Sequence, residues 1–191
     1  MENLRKKIKS FTPIDQDVLD FLLQFYQKRQ VKKGEHLLRE GQYIRHFFYL
    51  DQGCVCYYIL KNGQEQVLEF FSDNDIFTDL YNYVEEKPSN CNLRAMEDCT
   101  IYAISKEDIE KSFQASHQLE RFGRLLVQDE FIKLSRRVAH VTNLSNEERY
   151  LRFVKNRPKL IQIIPQYLVA SYLGVTPVGL SKIRKRISQQ G

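Results

Sequence analysis

VASYLGVTPVGLSKIRKRI, residues 169–187, reads as two short helices with punctuation between them. If Gln166 to Leu173 is a helix, Val169 and Leu173 face inward, and Ala170 offers the small side chain that lets another helix cross closely. Gly174 then stands where a helix ends in a left-handed residue, and Thr176-Pro177 caps and starts the next one. At about 100° per residue, Pro177, Val178, Ser181, Lys182 and Lys185 share an arc of about 140° on that second helix, while Leu180, Ile183 and Ile187 group opposite. One face buries and the other is presented. A presented face with small residues early and cations later suits a major groove, with Ser181 and Lys182 central at base edges and Lys185 and Arg186 nearer phosphates. Gln166, Thr176, Pro177 and Val178 complete the expected contact set. A generic helical hairpin with a solvated basic face also explains the periodicity. It does not explain Ala170, Gly174 and Thr176-Pro177 at these offsets.

The charge of the chain agrees with that reading. The 191 residues carry a net +5, yet residues 145–191 hold nine Lys/Arg against two Glu, a local +7, which leaves −2 for residues 1–144. A nearly neutral body is joined to a basic tail, and basic tails of this kind face polyanions. Upstream, Ser145-Asn146-Glu147-Glu148 forms a capping-box start, so a separate unit is expected over 144–191.

The body has two grammars. Thr12-Pro13-Ile14-Asp15 reads as a helix start before Val18, Leu19, Leu22, Leu23 and Tyr26. From about 31 to 104, short β-branched and aromatic runs are broken by KKGE at 32–35, EGQ at 40–42, DQG at 51–53, KNG at 61–63 and SDND at 72–75. Turns about every 10 residues predict a small all-β barrel or roll. Helical periodicity returns over 106–140, with Phe113, Leu119, Phe122, Leu126, Phe131, Ile132 and Val138. That apolar surface exceeds what a small roll can cover, so a partner helix is expected, with Leu119, Phe122 and Leu126 as the interface of a homodimer. The competing reading folds this helix back on its own roll.

With these pieces in place the whole chain resembles the Crp/Fnr family of bacterial transcription regulators. The resemblance lies in the N-terminal helix, in VKKGEHLLREGQ followed by YLDQGCVCYYI, in LRAMEDCTIYAIS at the end of the roll, in the long helix, and in ASYLGVTPVGLSKIR. It implies an α+β chain: a cyclic-nucleotide-binding-type, jelly-roll-like β-roll with its N-terminal helix over 1–105, a dimerisation helix over 106–143, and a DNA-binding helix-turn-helix over 144–191. The implied partners are double-stranded promoter DNA and a second copy, with RNA polymerase as a further candidate.

Two departures from the family pattern qualify this. Members that bind a cyclic nucleotide use a Gly-Glu pair for the ribose and an arginine ten residues after the Glu for the phosphate. Here FTDLYNYVEEKPSNC places Thr78-Asp79 at the pair and Ser89 at the arginine, so an effector pocket of Thr78, Asp79, Leu80, Ser89 and Asn90 lacks the phosphate cation. Arg94, an odd number of residues further on, should point to the other strand face. Cyclic AMP is therefore not expected as effector. The second departure is a reduced wing after the second helix, so the phosphate contacts of a wing are expected either to be absent or to be supplied by the Arg157–Gln162 segment.

Other function classes find little support. Cys54, Cys56, Cys91 and Cys99 fit no paired zinc spacing and read as small buried apolar residues; Cys54 and Cys56, on one strand face, keep a metal or redox site open. The iron-sulfur sensor of the oxygen-sensing branch needs cysteines near the N-terminus, and the first here is Cys54. No catalytic motif is present, and His36, His46, His117 and His140 are scattered. No cofactor, metal or catalytic residue is expected. No stretch approaches the about 18 apolar residues of a membrane span, and MENLRKKIKSF has no apolar signal region, which makes the cytoplasm the default compartment. The remaining alternative is a ligand-sensing module that acts through a protein partner rather than DNA.

Overall fold

The computed structural model describes residues 1–189. Two short helices, α1 (Glu2–Lys9) and α2 (Gln16–Leu23), precede the strands. The expected start at Thr12-Pro13 falls later, with Asp15 at the N-cap; its amide and carboxylate are held instead by the Gln118 side chain, at 2.8 and 2.6 Å. α1 was not foreseen, because only Leu4 and Ile8 of its eight residues turn inward.

The strands form two four-stranded antiparallel sheets. One has the order β1 (Gln27–Val31), β8 (Cys99–Ser105), β3 (His46–Gln52) and β6 (Ile76–Phe77). The other runs β2 (His36–Leu38), β7 (Asn92–Ala95), β4 (Val55–Lys61) and β5 (Gln64–Phe71). The turn signals fall between strands as expected. Asn62 and Gly63 both adopt positive φ, at 52° and 74°, which is the backbone a two-residue hairpin between β4 and β5 demands. The interior between the sheets is filled by Val31, Leu38, Phe48, Leu50, Phe77, Leu93 and Ile101. All four cysteines are buried within it or beneath it, and burial pushes each thiol up, to about 12 for Cys56 and about 11 for Cys99. Among the described residues, no group of three or more His, Cys, Asp or Glu side chains is placed to hold a metal ion.

The stretch read as one helix from 106 is two. α4 (Lys106–Ala115) ends at Ser116, whose backbone is extended at φ −155° and ψ 125°, and α5 (His117–Asn143) starts directly after it with the Ser116 hydroxyl accepting from Gln118 N. Gly123 makes the turn-back possible, since a Cβ there would lie 2.3 Å from Phe113 of α4. The first part of α5 buries Leu119, Phe122 and Leu126 against Leu4, Ile8, Leu19, Leu22, Tyr49 and Ile104 of the same chain. These three residues are therefore core, not dimer interface. The reading in which this helix folds back on its own roll holds for residues 117–126.

The C-terminal part comprises α6 (Asn146–Asn156), the single turn α7 (Leu160–Ile163), α8 (Gln166–Leu173) and α9 (Pro177–Ser188). The capping box of Ser145 and Glu148 is present as expected. These helices do not form a detached unit: Phe153, Leu168, Val169, Leu173, Leu180 and Ile183 share one buried cluster with Cys56, Tyr58, Val67 and Phe70 of β4 and β5. The reduced wing concerns residues after α9, outside the described residues. No described helix is long and apolar enough to cross a membrane.

Candidate nucleic-acid interface

α8 and α9 are joined by Gly174, Val175 and Thr176. Gly174 ends α8 in the left-handed region, at φ 67°, and the Thr176 hydroxyl accepts from Gly179 N at 3.0 Å to cap α9. A local punctuation pair thus sets the angle between the helices, and Ala170, fully buried, permits their close crossing. Leu180 and Ile183 anchor α9 in the shared core. Pro177, Val178, Ser181, Lys182 and Lys185 are exposed together, with Gln166 and Thr176 at the near ends of the two helices. Arg184, absent from the expected set, is exposed at the edge of the same face. Arg186 is less free than expected, because its guanidinium pairs with Glu147 of α6 at 3.1 Å.

Both cations of the Arg157–Gln162 segment, one of the two expected sources of phosphate contacts, have acidic partners within the chain. The Arg157 guanidinium donates to Glu69 Oε1 at 2.7 Å and to the Phe70 carbonyl at 2.8 Å, and Lys159 pairs with Asp73 at 3.1 Å. Arg157 is thereby committed to β5, whereas Lys159 stays 82% exposed in a surface pair with the loop after it. Their positions were legible as cations; their partners, about 90 residues away in sequence, were not.

The second half of α5 behaves unlike the first. Val127, Phe131, Leu134, Val138 and Val141 are 45 to 68% exposed and repeat at alternating steps of four and three residues. That is the a/d pattern of a coiled-coil seam. It lies roughly 100° around the helix from the buried Leu119–Phe122–Leu126 stripe. The expected interface residues are buried in the protomer, and this stripe is a second, exposed apolar face of α5.

In the roll, the expected effector residues come together and satisfy one another. Asp79 is buried; its Oδ1 accepts from the Tyr57 hydroxyl at 2.8 Å, and its Oδ2 accepts from Asn82 Nδ2 at 2.8 Å and from the Ser89 hydroxyl. Burial, aided by Cys91 and Asp79, pushes the Tyr57 phenol up and keeps it a donor. Thr78 donates to the His46 carbonyl at 2.8 Å, and Asn90 is exposed with its Oδ1 within 3.5 Å of Asn82 Nδ2. Leu80 lines a cavity of about 60 Å³ with Phe71, Phe77, Thr78, Leu126 and Glu130. Ligand sites for molecules of nucleotide size have volumes of roughly 300 Å³ or more. At this cavity Phe71 stacks on Phe77 at 4.5 Å, and the Phe48 ring lies tilted against Phe77 at 5.4 Å. Arg94 points away as expected, toward Glu65 and over the Tyr58 ring.

Two comparisons place this architecture. Residues 28–116, the roll with its following helix, match the family model of the cyclic nucleotide-binding domain. Over nearly its full length the chain is similar in fold to Crp/Fnr-type transcription regulators. FixK2 from Bradyrhizobium japonicum superposes with a TM-score of 0.73 at 18% identity, covering 87% of this chain and 86% of that one. A putative regulator of the Crp/Fnr family from Eubacterium rectale gives 0.72 at 15% identity, covering 95% and 89%. The c-di-GMP responsive global regulator CLP from Xanthomonas campestris gives 0.70 at 17% identity, covering 93% of each chain. No curated protein matches the sequence.

Proposed function

We propose that the chain is a cytoplasmic, non-enzymatic DNA-binding transcription regulator of the Crp/Fnr type, in which α8 and α9 form a helix-turn-helix. It pairs with a second copy through the 127–141 seam, reads a pseudo-palindromic operator, and does not respond to cyclic AMP. The observation that carries this reading is the division of α9. Leu180 and Ile183 are anchored, while Val178, Ser181, Lys182 and Lys185 stand exposed on a helix of the right size for a major groove. The seam supports the dimer, and two such helices about one DNA turn apart, roughly 34 Å, read two half-sites. The self-satisfied Asp79 and the missing phosphate cation at Ser89 support independence from cyclic nucleotides. RNA polymerase at the promoter is the further partner that this reading names.

The test is selection of bound fragments from sheared genomic DNA with the purified protein, followed by gel shifts over a salt series. A symmetric motif and an affinity that falls steeply with salt are expected. Binding without a motif and without salt dependence would return the chain to the alternative of a module acting on a protein partner.

A further inference from the structure

Glu69, at the edge of the roll, touches all three parts of the chain at once. It sits on β5, accepts from Arg157 ahead of α7 at 2.7 Å, and meets Arg137 of α5 at 3.4 Å. Both guanidiniums lie over the ring of Tyr172 on α8, at 5.7 Å for Arg157 and 4.5 Å for Arg137. Tyr172 is wedged in turn between Phe70 and Phe153, at 5.4 Å from each. The three charged side chains are only 26 to 31% exposed, so water screens them less than a surface pair. Two cations would repel each other across one aromatic ring. The single carboxylate between them removes that repulsion and fixes both in place.

The consequence is geometric. Arg137 lies on α5 between the seam residues Leu134 and Val138, and Tyr172 lies on the helix that packs against α9. We propose that Glu69 is a positioning residue that sets the orientation of α9 relative to the α5 seam, and thereby the half-site spacing the dimer accepts. The docked arrangement leaves Val178, Ser181, Lys182 and Lys185 exposed, so the clasp orients the reading face and does not cover it. This inference rests on the proposed DNA-binding dimer for its operator consequence, but not for the clasp itself.

Two readouts separate these. In the full chain carrying Lys28→Cys and Ser188→Cys, nitroxide labels on the exposed roll strand and on α9 report the distance within one protomer, once labelled chain is diluted into an excess of unlabelled chain. The distance distribution should be narrow in the parent and clearly broader with Glu69→Gln, at unchanged circular dichroism. Arg157→Gln should broaden it likewise, and serves if the first variant fails to fold. Equal widths in parent and variants would overturn the proposal whether or not the protein binds DNA. In gel shifts on the selected operator, the parent should prefer the native spacing over spacings one base pair longer or shorter. Glu69→Gln should reduce that preference about tenfold while leaving half-site affinity unchanged. An unaltered preference would defeat the operator consequence, whereas a parent that binds no DNA with a broadened Glu69→Gln distribution would defeat only the DNA-binding reading.

Discussion

Residues 117–126 and 127–143 of α5 belong to one uninterrupted helix, yet their apolar stripes serve different partners. Leu119, Phe122 and Leu126 are nearly inaccessible within the protomer, and Val127, Phe131, Leu134, Val138 and Val141 are exposed. What separates the halves is what lies beside them. α1, α2 and the β1–β8–β3–β6 sheet cover the buried stripe of the first half, while the 127–141 stripe, roughly 100° around the helix, is left uncovered. A helical stripe reports that a face must be covered; it does not report by what.

The strongest way to break this comparison is to charge each half in turn. Phe122→Glu should unfold the protomer, since it buries a carboxylate and removes a packed ring, at about 3 to 5 kcal/mol or more, read from the thermal melt. A Phe122→Glu protein that melts near the parent temperature would show that the first half is not core. Phe131→Glu with Leu134→Glu should leave the protomer melt nearly unchanged but halve the mass measured by light scattering. It should also lower affinity for a palindromic site by roughly 100-fold or more, because two half-sites are no longer bound as a unit. A stable dimer from that double variant would move the interface elsewhere.

α9 divides in the same manner, and smaller effects test it. Lys182→Ala should relax sequence preference at one base pair of each half-site, about 1 to 3 kcal/mol of discrimination. Lys185→Ala should weaken specific and random DNA alike and lower the salt slope by about one. If both variants lose affinity equally on all DNA, the presented face grips phosphates only, and sequence preference comes from Pro177, Val178 or DNA shape. The weakest signal concerns the first half of α5, where Leu126 closes the small cavity beside Thr78. Calorimetry with cyclic AMP should give no binding heat up to about millimolar ligand. Micromolar binding would mean that this half lifts off the roll.

Much of the fold was legible because the signals that specify it are local. Asn62-Gly63, Gly174 and Thr176-Pro177 act within three or four residues of themselves, as does the Ser145–Glu148 box, and the backbone follows each of them. The break at Ser116 was hidden, for it has neither glycine nor proline to mark it and depends on Phe113 closing over Gly123. The exposed face of α9 was readable from periodicity alone. The destination of Arg157 was not, because a cation looks the same in sequence whether it awaits a phosphate or already holds Glu69.

The Ser171 hydroxyl of α8 accepts from Val67 N and donates to the Glu65 carbonyl, both at 2.9 Å, on the outer strand of its sheet. A side chain here stands in for a missing neighbouring strand. Removing residues 144–191 would strip that cover and bare Val67 and Phe70 beside it, leaving a sticky template for self-association. The roll and the helices after it therefore cannot be traded as independent cassettes: a fusion that borrows this roll alone inherits an aggregation-prone margin, and solubility becomes a property of the joined chain.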